Sequence, residues 1–156
     1  MFFRRSLEKV LSEPNSVHAL RALYERLDRR SPLNPIQEGV SDTWWLFAEV
    51  SNGTVHQYLC NSTSDHFYRL QSFLEMIGSV STDEFFSSIT SLFPEAKVPT
   101  DRFTRKDLLA KWAESVGESE AERRIRKISN SILDARIPIA CSIVDYIKNH
   151  QNEYEK

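Results

Sequence analysis

A carboxylate, a histidine and three side-chain amides fall within one short stretch of this chain: Glu49, Asn52, His56, Gln57 and Asn61. A histidine titrates near neutral pH and can act as general base or acid. A carboxylate can orient it, and amides can supply hydrogen-bond donors. If the chain folds back at Asn52-Gly53, then Glu49, Asn52, His56 and Asn61 project into one cleft, and hydrolase-like or ligand-binding chemistry follows. The competing reading is structural. Polar side chains set between apolar helical segments must be satisfied, so His56 and Gln57 would bond helix-end carbonyls and hold the turn.

Cys60 stands four residues after His56, a spacing that suits a thiolate–imidazole pair or half a metal site. Asp65-His66 follows without a ligand pattern, and no second ligand pair has a recognisable spacing. The chain has no phosphate-cradling glycine loop, no G-x-S-x-G and no H-E-x-x-H. The expectation is no metal, no cofactor and no assigned catalytic residue. Cys60 and Cys141 are the only cysteines and read as reduced, buried thiols.

Helices must position these groups. Residues 14–29 form an amphipathic helix with Val17, Leu20, Leu23, Tyr24 and Leu27 on one face, Ser12 as cap and Pro14 in the first turn. Ser31-Pro32-Leu33-Asn34-Pro35 breaks it. Residues 42–51 hold Trp44, Trp45, Phe47 and Ala48 in a buried helix. Neighbouring helical positions diverge by about 100°, so at least one tryptophan is core and the other can edge a groove or interface. Asn52-Gly53 stops that helix, since both residues tolerate the left-handed conformation. Thr54 caps a short helix through Asn61.

Residues 65–77 carry the stripe Phe67, Leu70, Phe73, Leu74 and Ile77, closed by Gly78. Ser81-Thr82-Asp83-Glu84 is a capping-box pattern opening a helix with Phe85, Phe86, Ile89, Leu92 and Phe93 inward, stopped by Pro94. After a loop, Thr104 caps a helix with Leu108, Leu109, Trp112 and Val116, ended by Gly117. Ser119 opens the next, with Ile125, Ile128, Ile132 and Leu133 on its dry face and Glu120–Arg124 and Glu122–Arg126 on its wet one. Pro138 kinks or restarts the chain before Ile139, Ile143, Val144 and Ile147. From Gln151 the tail is expected to fray. The result is an all-α fold of about seven to nine helices. One domain is expected over residues 1–156, with its motif-bearing region at about 40–95 and C-terminal helices at about 104–150.

Net charge is -2, which predicts no nucleic-acid binding by bulk charge. Its distribution is uneven. Residues 1–30 hold seven Lys/Arg against four Asp/Glu, residues 31–100 two against eight, and residues 101–156 eleven against ten. The acidic third comprises Glu38, Asp42, Glu49, Asp65, Glu75, Asp83, Glu84 and Glu95. Clustered in space, these would attract a basic protein surface and repel nucleic acid. The alternative is an ordinary acidic surface in which Asp83 and Glu84 serve a helix start. The basic run Arg123, Arg124, Arg126 and Lys127 reads as a solvated helix face neutralised by Glu118, Glu120 and Glu122. The opening Met-Phe-Phe-Arg-Arg-Ser lacks the apolar run of a secretory signal, and no run reaches the ~20 apolar residues of a membrane span, so a cytoplasmic protein is expected.

The stretch from Glu49 to Asp65 resembles the signature of a bacterial family typified by DNA mimic protein nineteen. That signature runs Glu, Asn-Gly-Gly, an aromatic, a polar residue, Gln, two aromatics, Asn-Ser and Gly-Asp. Here it reads Glu49, Asn52-Gly53-Thr54, Val55, His56-Gln57, Tyr58-Leu59, Asn61-Ser62 and Ser64-Asp65. The helix endings Met76-Ile77-Gly78 and Leu92-Phe93-Pro94 are also similar, and the likeness spans residues 40–95. The resemblance implies an all-helical fold. For the founding type it implies no enzymatic activity: an acidic surface imitates DNA and occupies a DNA-binding protein. The expected function is a non-enzymatic protein-binding or regulatory module, with Glu75, Asp83 and Glu84 as its acidic partner surface. The alternatives are a small enzyme centred on Glu49 and His56, or a toxin-neutralising immunity protein.

Overall fold

The computed structural model describes residues 6–27, 31–79 and 82–156. Among them there is no strand, and the all-α expectation holds: nine α-helices and a closing single turn. In chain order these are α1 Leu7–Leu11, α2 Ser16–Arg26, α3 Pro35–Asn52, α4 Val55–Cys60, α5 Phe67–Met76, α6 Asp83–Thr90, α7 Arg102–Val116, α8 Glu118–Asp134, α9 Arg136–Asn149 and the turn α10 Gln151–Tyr154. A 3₁₀ turn at Ser62–His66 leads into α5.

The longest helix, α3, is the spine. Its start combines Asn34 as cap, Pro35 at the first position and Gln37 reaching back to the Asn34 amide, a complete capping box. It packs against α2, α4, α5 and α8. The α5 crossing is close because Gly39 has no side chain: a Cβ there would enter the Phe73 ring. Most of the predicted apolar stripe residues are buried, but on α7 only Leu109 is, with Leu108, Trp112 and Val116 half-buried. Leu20, Leu23, Leu70, Leu74, Phe85, Phe86, Ile89, Ile132, Ile139, Ile143 and Ile147 all lie in one continuous core.

Several local expectations are corrected. Asn15, not Ser12, caps α2, its side chain accepting from the Val17 and His18 amides at 3.1 Å. Ser12 instead closes α1, a turn the periodicity did not reveal. Asp101, not Thr104, caps α7, accepting at 2.7 Å from both the amide and the hydroxyl of Thr104. Both pairs hold two competent capping residues a few positions apart, and sequence alone does not rank them. Helix α8 begins at Glu118, directly after Gly117, which has φ +88°. The start of α6 has Thr82 at the cap without a side-chain bond. The Ser81 half of the expected capping box lies outside the described residues, as do positions 28 and 29 of the first amphipathic run.

The tail is docked rather than frayed. Tyr154 is buried and its hydroxyl donates to the Leu23 carbonyl at 2.9 Å. Its own carbonyl accepts from Gln37 Nε2 at 2.7 Å. The capping box of α3 thus also holds the end of the chain.

Candidate functional site

Helix α3 carries two carboxylates, Asp42 and Glu49, on faces that are buried. Unpaired, such charges would be costly, so their partners define the local architecture. Those partners come from residues 57–69, which return against α3 after the Asn52-Gly53 stop.

Gly53 does end α3, but not by a left-handed turn: its φ is -149°. Its lack of a side chain matters for another reason. A Cβ at Gly53 would occupy the space of the Gln57 carboxamide oxygen. Glycine here lets Gln57 lie across the turn and donate to Glu49 Oε2 at 2.9 Å. Asn61 Nδ2 donates to the same oxygen at 2.7 Å, and Thr63 Oγ1 reaches Oε1 at 3.4 Å. Three neutral donors hold the buried Glu49 carboxylate, and among the described residues no cation pairs with it. Gln57 thus holds the turn, but through a carboxylate and not a helix-end carbonyl, and the His56 ring makes no such bond.

A second cluster adjoins it. Arg105 on α7 is fully buried, and all five of its N–H groups are engaged. Nε donates to the Leu59 carbonyl at 2.8 Å, Nη1 to the Pro99 and Thr100 carbonyls, each at 2.8 Å, and Nη2 to the Asn61 carbonyl at 3.0 Å and Asp65 Oδ1 at 2.5 Å. Arg69 makes the third contact group. Its Nε and Nη2 grip both oxygens of Asp42 at 2.7 and 2.8 Å, and Nη1 reaches Glu38 at 2.9 Å. These bonds to Asp42 raise the Arg69 pKa above its ordinary value. Tyr58 is buried near Asp42, Glu49, Asp65 and Arg105; burial raises its phenol pKa above the ordinary value, and the three carboxylates add to the effect.

The expected cleft of Glu49, Asn52, His56 and Asn61 is thus only half formed. Glu49 and Asn61 meet, joined by Gln57 and Thr63. Asn52 is exposed and outside the network. His56 caps nothing with its ring; only its amide is held, by Thr54 Oγ1 at 3.2 Å, which confirms Thr54 as the α4 cap. Cys60 Sγ lies 3.8 Å from His56 Nδ1 and 3.7 Å from Nε2. Near-equal distances place the sulfur over the ring, because a thiol in line with one nitrogen stands much further from the other. Burial lowers the His56 pKa and raises that of Cys60, the reverse of what an activated thiolate–imidazolium pair requires. Alkylation of Cys60 by iodoacetamide in a Cys141→Ala background should therefore be slower at pH 7.5 than that of free cysteine and should accelerate as pH rises past the ordinary thiol range. A rate faster than free cysteine would identify an activated nucleophile.

Both cysteines are free, as expected, but Cys141 is exposed and Cys60 half-buried. Among the described residues no group of His, Cys, Asp and Glu could hold a metal ion. Trp44 stacks on Tyr24 with ring centroids 5.6 Å apart, while Trp45 meets Tyr24 edge-on and is exposed. On α8, Glu120 binds Arg123 and Arg124, which hold its carboxyl down at about 2, and Glu122 binds Arg126.

The acidic third divides in two. Glu38, Asp42, Glu49 and Asp65 are engaged inside the fold. Glu75, Asp83, Glu84 and Glu95 are exposed and have no ion pair among the described residues. Glu75 lies in the last turn of α5, and Asp83 and Glu84 in the first turn of α6.

Sequence reasoning missed Arg69, Thr63 and Arg105. A signal for Arg105 was present. It lies at helical spacing with Leu109, Trp112 and Val116, so a cation stands on the apolar stripe of α7.

Among the described residues no helix is long and apolar enough to cross a membrane. No curated protein and no solved structure matches the chain. The family model described as DMP19-like protein matches residues 31–150, a span that contains the Glu49 network, Arg69, Arg105 and the exposed carboxylates. The chain belongs to the DMP19-like protein family.

Proposed function

We propose that this protein is a non-enzymatic regulatory module of the cytoplasm that binds a protein partner through exposed carboxylates at the end of α5 and the start of α6. The partner is a DNA-binding protein whose basic surface meets Glu75, Asp83 and Glu84 in place of phosphates. Residues 1–156 act as one helical domain, supported by a core that runs from Leu7 to Tyr154. The observation that carries the reading is the division of carboxylates: those of the signature segment are held internally, whereas these three are exposed. The fold does not require Glu75. A carboxylate at a helix C-terminus opposes the helix dipole, so its presence there costs a little stability. With only three such groups, the interaction is a modest, salt-sensitive form of DNA mimicry.

The test is retrieval of partners from native lysate at low and moderate salt, comparing wild type with Glu75→Lys/Asp83→Lys/Glu84→Lys. Wild type should retain a DNA-binding protein at low salt, lose part of it at moderate salt, and block its binding to DNA. The reversed variant should do neither. Its stability should change little: losing Asp83 and Glu84 from the α6 start costs about 0.3–1 kcal/mol each, and removing Glu75 from the α5 end returns a similar amount. Undiminished partner binding by the reversed variant at low salt would overturn the proposal.

A further inference from the structure

The slot that holds Tyr154 is built from amide side chains with one end for the fold and one for the tail. Asn34 Oδ1 caps α3, accepting from the Ile36 and Gln37 amides at 3.0 Å each, while its Nδ2 donates to the Glu153 carbonyl at 2.9 Å. Gln37 Oε1 accepts from the Asn34 amide at 3.1 Å, while its Nε2 donates to the Tyr154 carbonyl at 2.7 Å. The two oxygens complete the capping box, and the two nitrogens bind the main chain of the tail. The end of α2 supplies the rest. The Leu27 amide closes that helix on the Tyr24 carbonyl at 3.2 Å, and the Leu23 carbonyl takes the Tyr154 hydroxyl. Arg26, its side chain 18% exposed, pairs with Glu155 at 3.2 Å.

The tail hangs from α9 by His150, whose backbone is non-helical at φ -131° and ψ 34°. The last turn of α9 is capped by its own side chains: Asn149 Nδ2 donates to the Asp145 carbonyl at 3.0 Å, and His150 Nδ1 donates to that of Tyr146 at 2.8 Å. Lifting residues 153–155 out of the slot therefore breaks neither the α3 capping box nor these α9 bonds. We infer that the slot between α2 and α3 is a recognition site for a protein segment in which a tyrosine is followed by a carboxylate, and that the chain's own tail occupies it as a strap. Asn34 and Gln37 bind the segment's carbonyls, its tyrosine reaches Leu23, and its carboxylate meets Arg26. Phenylalanine in place of that tyrosine leaves the Leu23 carbonyl without this donor, so the site discriminates between the two. A partner's segment competes with a tethered one, whose effective concentration over so short a link is on the order of mM. The strap thus sets a threshold: the slot opens only to a segment that binds better than the tail or is presented at high local concentration. This inference does not rest on the proposed DNA-binding partner.

A fluorescent peptide with the sequence of residues 150–156, titrated with the full chain and read by anisotropy, tests this. Tyr154→Ala releases the tail and should bind the peptide at least about tenfold more tightly than wild type does. Tyr154→Phe keeps the ring and loses only the hydroxyl bond, so it should fold as wild type does and bind with intermediate strength. A peptide carrying phenylalanine at the position of Tyr154 should bind Tyr154→Ala several-fold to about tenfold more weakly. Gln37→Glu keeps the oxygen that completes the capping box and removes the donor to the tail. Added to Tyr154→Ala, it should weaken binding by a similar factor. Circular dichroism shows which variants are folded, and if Tyr154→Ala is not, Tyr154→Phe against wild type decides. Folded variants that bind the peptide no better than wild type, or equal binding of the tyrosine and phenylalanine peptides, would overturn the inference. None of these outcomes depends on whether a DNA-binding partner exists.

Discussion

Arg105→Leu is expected to lower unfolding free energy by about 3–5 kcal/mol. Arg105 is fully buried, and its five donors end on four backbone carbonyls and one carboxylate. Leucine fills part of the volume but leaves those acceptors without their partner, the Leu59 carbonyl in a buried setting and the others partly buried. The penalty comes from orphaned acceptors more than from the Asp65 pair, because the Asp65 side chain is 38% exposed and water screens that attraction. Arg105→Lys separates charge from geometry. Lysine keeps the cation but has three donors at one point, and it cannot reach Leu59, Asn61, Pro99 and Thr100 together. It should still cost about 2 kcal/mol or more. Urea unfolding followed by circular dichroism measures both. A loss below about 1 kcal/mol for either variant would mean that the segment and the 97–101 loop are held by packing alone.

Glu49→Ala has the second largest expected effect, about 2–4 kcal/mol. The carboxylate is buried and accepts from Gln57, Asn61 and Thr63. Its removal strands three donors and frees the turn that Gly53 makes possible. Glu49→Gln is the sharper variant. It preserves shape, and its carbonyl oxygen can still accept from Gln57 and Asn61 while its NH₂ turns to the Thr63 hydroxyl, so only the charge-assisted part of the network is lost. It should lie between wild type and Glu49→Ala, at about 1–3 kcal/mol. His56→Ala serves as the contrast. Its ring joins no hydrogen bond to the network, so the change should stay within about 0.5 kcal/mol. Thermal and urea unfolding of the three variants rank these effects. A large loss for His56→Ala with a small one for Glu49→Ala would reverse the assignment of roles.

Much of the helical framework was legible because it follows from local periodicity. The stripes through Leu20 and Leu23, Leu70 and Leu74, and Ile139 to Ile147 needed only spacing to be read as buried faces. Gly78 and Gly117, at φ +66° and +88°, ended their helices as expected. What was not legible depended on contacts distant in sequence. Tyr154 bonds Leu23 across 131 positions, so nothing local distinguished a docked tail from a frayed one. The members of the Glu49 network were recognisable as polar residues needing partners. Which of them meet depended on the path after Gly53, where Gln57 takes the space that a side chain would have filled. Arg105 lies 44 positions from Asn61, and a single cation on an apolar stripe is easily assigned to solvent. The acidic third looked uniform as a count. Only the fold separates Glu49, Asp42, Asp65 and Glu38 from the exposed Glu75, Asp83, Glu84 and Glu95.

The central claim is that the family signature is a clasp holding the fold, leaving function to the exposed surface. A double-mutant cycle on Glu49→Ala and Asn61→Ala, read by urea unfolding, tests it most directly. The account predicts that the two changes are not additive, with a coupling of about 1–2 kcal/mol, since each removes the same 2.7 Å bond. Additivity within about 0.3 kcal/mol, with both single variants near wild-type stability, would contradict it.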